Sequence, residues 1–435
     1  MSVDKLMAFM EASPTAFHAV DQIKTRLFNN DYVELKEYDS WQIEPGGKYF
    51  VTRNDSSIIA FHIGTDLSHY SFNILAAHSD SPTFKVKEKG EHLSAGHYVT
   101  LNTEGYGGMI LPSWFDRPLS IAGRVIVKEG KALKPYLLTI DRDLVMIPHV
   151  AIHMEPGINS GYTYNKQIDM MPLFSGDEGQ IGDLKALVAK TLGVDSSAIY
   201  GHDLFLYNRQ VPVIWGAHNE FVSSGRLDDL ECSFGGLEAI VQSTPKSSIN
   251  VLAVFDNEEV GSLTKQGAAS TFMEDTLERI NASLGFERER LFQAVASSLM
   301  ISADSAHAVH PNHPELTDNE NCTYMNQGIV VKSHANQKYA SDAVSIAMFK
   351  AYAEKAQVPL QYFANRSDKR SGSTIGNLSN THVSLNTVDI GLPQLAMHSA
   401  YETAGVKDID YLIDLLTVFY NCHLTHCEAG FLIED

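Results

Sequence analysis

The chain has 435 residues, more than a single hydrophobic core usually holds, so its length predicts two domains. Hydrophobic residues make up 44% of the chain and charged residues 20%, as in an ordinary globular protein. The formal net charge of −20 argues against nucleic acid and anionic membranes as partners.

The ends and the apolar runs of the sequence carry no targeting signal that we recognise. Asp4, Lys5 and Glu11 interrupt the apolar residues at the N-terminus, so the h-region of a signal peptide is missing there. The apolar runs are too short to span a bilayer. We therefore expect a cytoplasmic protein. Its four cysteines are too few and too scattered for a disulfide framework.

The first 80 residues predict two helices followed by β-structure. Residues 2–12 and about 14–29 have helical apolar spacing, with Ser13-Pro14 as the cap and first turn of the second helix. Residues 48–52 and 57–63 predict a hairpin. A further strand, 71–77, ends at His78. Asp80 stands two residues later, where its carboxylate can fix the tautomer of that ring.

The pattern of predicted secondary structure changes between about residues 84 and 213. Strand-length segments and turn signals dominate there, and a helix follows only at about 182–192. We interpret this region as an inserted β-rich domain. If its segment 147–153 is a strand, His149 and His153 lie on the same face.

After the insertion, strands and helices alternate, which is typical of an α/β fold. The predicted strands are 249–254, 297–303, 328–332, 360–364 and 387–391, and the predicted helices are 225–239, 341–356 and 408–426. A helix that continues to residue 426 would spread the side chains of Cys422, His423, His426 and Cys427 around its axis. That spread argues against a metal site in this segment.

Potential metal ligands stand at or after the ends of several predicted strands, where α/β proteins bind ligands. The candidates are His78, Asp228, Glu258, Glu259, Asp304 and His398. A set of His and carboxylate groups without Cys suits zinc or a divalent ion of similar hardness. Five ligands are too many for one catalytic zinc but suit two ions that share a carboxylate. The sixth group is then free to take a proton from water.

Five motifs give the sequence a specific resemblance, because they occur in order across nearly the whole chain. They are Ala77-His78-Ser79-Asp80-Ser81-Pro82, Gly225-Arg226-Leu227-Asp228-Asp229, Asp256-Asn257-Glu258-Glu259-Val260-Gly261-Ser262, Ala303-Asp304-Ser305-Ala306-His307-Ala308-Val309-His310-Pro311-Asn312 and Gln394-Leu395-Ala396-Met397-His398-Ser399. With them the sequence resembles the aspartyl aminopeptidase family of co-catalytic zinc metallopeptidases.

The resemblance implies a role for each candidate. The implied metal ligands are His78 and Asp304 for one ion, Glu259 and His398 for the other, and Asp228 as the bridge. The cofactors would be two divalent ions, zinc in the first place, with cobalt or manganese as alternatives. Glu258 matches the general base of the family, and Asp80 matches the residue that orients His78.

The resemblance also implies a fold class and an assembly. The fold would be α/β, a mixed-sheet zinc-peptidase catalytic domain interrupted by a β-rich dimerisation and assembly domain. We assign residues 1–84 and 222–435 to the catalytic domain and 85–221 to the insertion. A homododecamer built from dimers is expected. His153 matches a catalytic histidine that reaches into the active site of a neighbouring subunit.

The implied activity is hydrolysis of N-terminal residues from peptides, with a preference for Asp or Glu, through a metal-bridging water that Glu258 activates. Lys332 matches a lysine near the substrate, and Thr374 and Gly376 belong to a loop that lines the pocket. Two positions depart from the family: Asp229 replaces a frequent Asn, and Tyr401 replaces a frequent Arg, which removes a cation near the pocket.

Several alternatives remain open at this point. The protein could be an aminopeptidase of neutral specificity, a related deacylase, amidase or dinuclear carboxypeptidase, or a non-catalytic assembly shell. The sequence assigns no role to His149, His307, His310 or His334.

Overall fold

The computed structural model of the protein describes residues 2–369, 372–428 and 430–434. Within these ranges the α-helices are α1 (Ser2–Ala12), α2 (Ala16–Phe28), α3 (Asp183–Leu192), α4 (Leu227–Gln242), α5 (Phe272–Ser283), α6 (Arg288–Ala296), α7 (Ala343–Ala356), α8 (Ile375–Ser379) and α9 (Asp408–Asn421).

The strands of the amino-terminal half are β1 (Val33–Leu35), β2 (Lys48–Arg53), β3 (Ser57–Ile63), β4 (Ser71–His78), β5 (Thr83–Ser94), β6 (Tyr98–Tyr106), β7 (Leu119–Glu129), β8 (Ala132–Thr139), β9 (Leu173–Ser175), β10 (Ile199–Asn208), β11 (Val213–Trp215) and β12 (Phe221–Ser224). Those of the carboxyl-terminal half are β13 (Ser248–Phe255), β14 (Leu299–Ala303), β15 (Ala306–His307), β16 (Ile329–Lys332), β17 (Leu360–Phe363), β18 (Asn386–Gly391), β19 (Pro393–Leu395), β20 (Glu402–Gly405), β21 (His423–Cys427) and β22 (Gly430–Glu434).

A mixed sheet forms the centre of the molecule, in the order β1-β2-β3-β13-β4-β14-β18-β16-β17. Its middle strands β13, β4, β14 and β18 run parallel to one another, with Phe255 opposite His78. Every residue of β4 and β13 is buried, because helices cover both faces of the sheet. The parallel order brings the carboxyl ends of these strands to one edge.

The helices lie in two layers on this sheet. On one face α1, α2, α4, α7 and α9 share a core with strand residues such as Leu75 and Ala77. On the other face α5, α6 and α8 pack on the alternate residues, such as Ile74 and Ala76. The helix α4 approaches the sheet closely at Gly236, where an added Cβ would lie 2.2 Å from Leu75 Cδ2. This close packing fixes the start of α4 near the sheet edge.

Two further sheets complete the architecture. The antiparallel sheet β8-β7-β10-β5-β6-β9 uses strands between Thr83 and Asn208 and has a separate core to which α3 contributes. A smaller sheet, β11-β12-β20-β19-β15, supports the loop that carries His398. The predicted α/β class with a mixed central sheet is confirmed. In the described part of the chain, no helix combines the length and apolar character that a membrane crossing requires.

Three local predictions are wrong. The second helix begins at Ala16, with Thr15 rather than Ser13 at the N-cap. The last helix ends at Asn421, and the next residues form the hairpin β21–β22. The helix ends there because the buried Asn73 side chain donates hydrogen bonds to the carbonyl oxygens of Phe419 and Cys422, at 3.0 and 2.8 Å.

The segment with His149 and His153 is the third wrong prediction, because it forms only isolated bridges at residues 145–147 and then a turn. Pro148 lacks the N–H group that a longer ladder would need. The His149 ring stacks on Phe115, and its Nδ1 lies 2.5 Å from Asp116 Oδ2. His153 is exposed in the turn. The two histidines therefore do not share the face of a strand.

Candidate metal centre

The predicted ligands meet at the edge where β4, β13 and β14 end. Three groups of His, Asp and Glu side chains have ligand atoms within 4.8 Å of one another. They are His78, Asp228 and Asp304; Asp228, Glu259 and His398; and His78, Glu258 and Glu259. The structure thus brings together all six candidates, and the first two groups share Asp228.

The carboxylate of Asp228 lies between two imidazoles. Its Oδ1 is 3.5 Å from His78 Nε2, and its Oδ2 is 3.3 Å from His398 Nε2. The same His398 nitrogen lies 3.4 Å from Glu259 Oε2. One oxygen facing each imidazole is the arrangement that a carboxylate shared by two ions requires.

The unsatisfied oxygens at this centre test whether these residues fit divalent ions. Asp228 Oδ1 and Glu259 Oε1 are buried and have no hydrogen-bond partner in the described structure. Buried polar atoms of this kind are rare, and a bound cation is one of the usual reasons for them. The donors are imidazole nitrogens and carboxylate oxygens, which suit zinc. The residues present therefore fit divalent metal ions.

The electrostatics of the centre point the same way. Burial raises the pKa of Glu259 and Asp304, and it raises the pKa of Glu258 to about 8. Burial also acts to raise the pKa of Asp228, but the electrostatic attraction of the His398 and His78 rings outweighs burial and lowers it. Several buried carboxylates at one place repel each other, and divalent cations would relieve that repulsion.

The backbone of the Glu pair is held by Asp80. The Glu258 N–H donates to Asp80 Oδ1 at 3.1 Å, and the Glu259 N–H donates to Asp80 Oδ2 at 3.2 Å. The hydroxyl of Tyr106, from β6, donates to the same carboxylate at 2.7 Å. The pair lies in a single 3₁₀ turn, which Gly261 caps at its C-terminal end with a positive φ of 98°.

The same aspartate faces the His78 ring. Nδ1 of His78 lies 3.1 Å from the Asp80 carbonyl oxygen and 3.4 Å from its Oδ1. A proton on Nδ1 leaves Nε2, the nitrogen that faces Asp228, free to bind a metal. The sequence predicted this orienting role for Asp80 but missed its hydrogen bonds to the Glu pair and the contribution of Tyr106.

Sequence reasoning also missed Glu402, which is buried beneath the centre. Its Oε1 accepts the His398 N–H at 2.7 Å, and its Oε2 accepts the Asp228 N–H at 3.1 Å. One carboxylate therefore fixes the backbone of two candidate ligands. Burial raises its pKa to about 8. The sequence signal was its position four residues after His398, next to the noted Tyr401.

The predicted substrate-binding residues lie in different places. A cleft of about 210 Å³ at the centre is lined by Lys332 and Thr374. Lys332 is buried, and its Nζ donates to the Ser305 carbonyl at 2.8 Å and lies 3.9 Å from Asp304 Oδ1. Gly376 is outside this lining; it lies in α8, where an added Cβ would be 3.0 Å from Ser302.

His153, which is predicted to act in a neighbouring subunit, lies away from the metal ligands of its own chain, and the histidines without a predicted role lie in several places. His153 is exposed and contributes to none of the three ligand groups of its own chain. His307 lines the cleft. His310 and His334 lie in loops, where their Nδ1 atoms accept the N–H groups of residues two positions further on.

Comparison with known proteins agrees with this site. Residues 9–420 match the family described as Aminopeptidase I zinc metalloprotease (M18). The chain is 48% identical to a probable M18 family aminopeptidase 2 of Clostridium acetobutylicum over 96% of its length and 98% of that protein. It is 37% identical to aspartyl aminopeptidase 1 of Schizosaccharomyces pombe over 98% of its length and 96% of that protein.

A solved structure shares the fold. The mApe1 dodecamer of S. cerevisiae superposes with a TM-score of 0.83 at 26% identity, over 96% of this chain and 95% of that one. Together with the sequence matches, this likeness confirms the predicted family and the predicted enzyme class. The chain belongs to the M18 family of zinc metalloproteases and is a metallo-aminopeptidase.

Proposed function

We propose that this aminopeptidase uses two divalent ions, zinc in the first place, with cobalt or manganese as alternatives. His78 and Asp304 would hold one ion, Glu259 and His398 the other, and Asp228 both. The observation that carries the proposal is the Asp228 carboxylate, with one oxygen toward each imidazole at 3.5 and 3.3 Å.

The chain's own residues then have separate tasks in the hydrolysis. The ions, when bound, would polarise the scissile carbonyl and lower the pKa of the attacking water. Glu258 lies outside the two groups that share Asp228, so its carboxylate is available to take a proton. It would take that proton from the water and pass it to the leaving amine. Asp80 keeps Glu258 in place through the backbone hydrogen bond at 3.1 Å.

We also propose a preference for N-terminal Asp or Glu. The net charge of −20 repels acidic substrates at long range, so a local cation must supply the selectivity. Lys332 is the one Lys or Arg among the described residues that line the cleft. Burial acts to lower the pKa of Lys332, but the nearby acidic groups, Asp304 first among them, together outweigh burial and raise it. The 37% identity to an aspartyl aminopeptidase supports the same preference.

The substrate preference and the role of Lys332 can be tested together. After chelation and return of zinc, we expect kcat/KM for Asp and Glu aminoacyl substrates to exceed that for Leu. Lys332→Met should reduce the Asp-to-Leu ratio about tenfold or more, because it removes a buried charged hydrogen-bonding partner worth about 1.5–3 kcal/mol.

The matched control is Lys338→Met, which removes an equal charge from an exposed position near the cleft. Zinc content is measured for each variant, because Lys332 also neighbours Asp304. A Lys332→Met protein with normal zinc and an unaltered Asp-to-Leu ratio would refute the role of the lysine. Zinc-dependent cleavage led by Leu in the wild type would refute the acidic preference.

We further propose that residues 85–221 form the assembly domain of a homododecamer. Large apolar side chains are exposed in this segment, among them Ile152, Met154, Ile168 and Ile181. Exposed apolar groups in one region often mark a protein interface. The structural relative from S. cerevisiae is a dodecamer.

The four cysteines form no disulfide, which supports residence in the reducing cytoplasm.

In such an assembly, His153 would complete the active site of a neighbouring subunit by donating a hydrogen bond to the oxyanion. His153→Ala should lower kcat about 10²–10³-fold, the usual loss for one oxyanion donor. Mixed oligomers of His153→Ala and Glu258→Gln subunits should recover activity, because some sites then combine an intact Glu258 with an intact partner histidine. His149→Ala is the control. Mixed oligomers without any recovery would contradict action in trans.

A further inference from the structure

A second cavity adjoins the metal cleft. It has a volume of about 260 Å³, and His307 and Phe363 line both spaces. The two rings pack edge to face with centroids 6.2 Å apart, and so form the wall between them. When the first residue of a peptide occupies the cleft beside Lys332, the rest of the peptide needs an adjoining space. This cavity offers that space.

The cavity wall contains buried amide groups without partners. Gln394 is 1% exposed, yet neither its Nε2 nor its Oε1 has a hydrogen-bond partner in the described structure. Asn365 Nδ2 is a third buried polar atom without a partner, and both residues line the cavity. Most buried side-chain polar atoms in proteins are hydrogen-bonded, so three such atoms around one cavity need an explanation.

The extended backbone of one peptide residue is the natural complement of Gln394. The side-chain amide offers an acceptor oxygen and two N–H donors, and a residue offers one N–H donor and one carbonyl acceptor. In an extended chain these two groups of one residue point to the same side, so Gln394 can accept the N–H and donate to the carbonyl of that residue. A site built to make such bonds discriminates strongly against a substrate that lacks them.

The backbone around Gln394 is rigid enough for recognition. Gln394 lies in β19, between His307 of β15 and Ala404 of β20. Its carbonyl oxygen accepts the Ala308 N–H at 2.9 Å. A side chain on a paired central strand needs little ordering when a ligand arrives.

The charged groups at the cavity balance one another. Arg366, Lys369 and Asp318 line it. The Arg366 guanidinium pairs with the Asp368 carboxylate at 2.9 Å, and Lys369 and Asp318 carry opposite charges. Recognition at this cavity therefore depends on its amides rather than on a net charge.

We propose that this cavity binds the peptide chain that follows the scissile bond, with Gln394 recognising the backbone N–H and carbonyl of one of its residues. This inference rests on the proposed aminopeptidase chemistry and adds a binding site to it.

The test compares two substrates that differ only after the scissile bond: aspartyl 4-nitroanilide and the tripeptide Asp-Ala-Ala. In Gln394→Leu, the ratio of kcat/KM for the tripeptide to that for the anilide should fall about tenfold, since two hydrogen bonds are lost. Gln293→Leu, on the exposed side of α6, is the control. The Tm of Gln394→Leu should be at least that of wild type, because the replaced amide has no partner in the folded chain.

Binding provides a readout that needs no turnover. In a Glu258→Gln background, calorimetry should show the Kd of Asp-Ala-Ala rising about tenfold on Gln394→Leu. An equal Kd in both proteins would overturn the inference, even if the proposed chemistry were also wrong. A changed Asp-to-Leu preference on anilides, with an unchanged tripeptide-to-anilide ratio, would also overturn it. So would a lower Tm with an unchanged ratio, because Gln394 would then be structural.

Discussion

Glu258→Gln should lower kcat by roughly 10²–10⁴-fold while the protein keeps its metal, because a general base contributes about that much to the rate. The amide has nearly the same shape as the carboxylate but cannot take a proton from water. The backbone at position 258 should stay in place, because its N–H donates to Asp80, a hydrogen bond that does not involve the replaced side chain. The loss should therefore be in turnover rather than in folding.

Two measurements separate the possible results for this variant. Steady-state kinetics give kcat, and elemental analysis after dialysis gives the metal per chain. Glu11→Gln, at an exposed position of α1, controls for the loss of one negative charge. A normal kcat would refute the role of Glu258 as the base. Loss of metal would instead make Glu258 a ligand, as its grouping with His78 and Glu259 allows.

Much of the central sheet could be predicted because its information is local. Strands β4, β13 and β14 are mostly apolar, and a residue with metal-binding chemistry stands at or shortly after the end of each. Parallel neighbours must end at the same edge, so the convergence of His78, Glu259 and Asp304 required no knowledge of loops. The family, the enzyme class and the α/β fold followed from the motifs at these strand ends and are confirmed.

The residues that support the site could not be predicted, because their partners are distant in sequence. Glu402 holds Asp228 across 174 positions, and Tyr106 reaches Asp80 from a different sheet. The end of α9 depends on Asn73, more than 300 positions earlier in the chain. Apolar periodicity contains no information about such contacts. The predicted last helix is therefore too long at its C-terminal end.

The predicted pocket loop shows the same limitation at closer range. Thr374 and Gly376 are two residues apart, yet only Thr374 lines the cleft, where its hydroxyl donates to Asp389 at 2.6 Å. Gly376 faces inward, because α8 packs on the sheet through Ile375. A motif gives the position of a loop, whereas the direction of each residue depends on packing that only the fold determines.

Asp228→Asn should reduce zinc affinity by at least about 100-fold, since even residues that only orient metal ligands contribute 10–100-fold. Asp228 belongs both to the group with His78 and Asp304 and to the group with Glu259 and His398. Its replacement should therefore weaken the binding of both ions. In the Asn side chain only one of the two atoms that face His78 and His398 is an oxygen, and the negative charge is lost. Aminopeptidase activity should fall with the metal content.

The neighbouring residue supplies a strict control for this variant. Asp229→Asn makes the same chemical change one position further on. Burial raises the pKa of Asp229 well above its usual value, and Asn is frequent at this position in the family, so the amide should be a close substitute. Its Oδ2 accepts the His78 N–H at 3.2 Å, which an amide oxygen can also do. We therefore expect this variant to keep its zinc.

Thermal unfolding with increasing zinc measures the difference directly. A ligand that binds only the folded state stabilises it by about RT ln(1 + [L]/Kd), so 100-fold excess over Kd is worth about 2.7 kcal/mol. Wild type and Asp229→Asn should show a zinc-dependent rise in Tm, and Asp228→Asn should lose most of it. If Asp228→Asn still binds two equivalents of zinc, Asp228 is not a shared ligand. The two ions would then be held independently by the groups on either side of it.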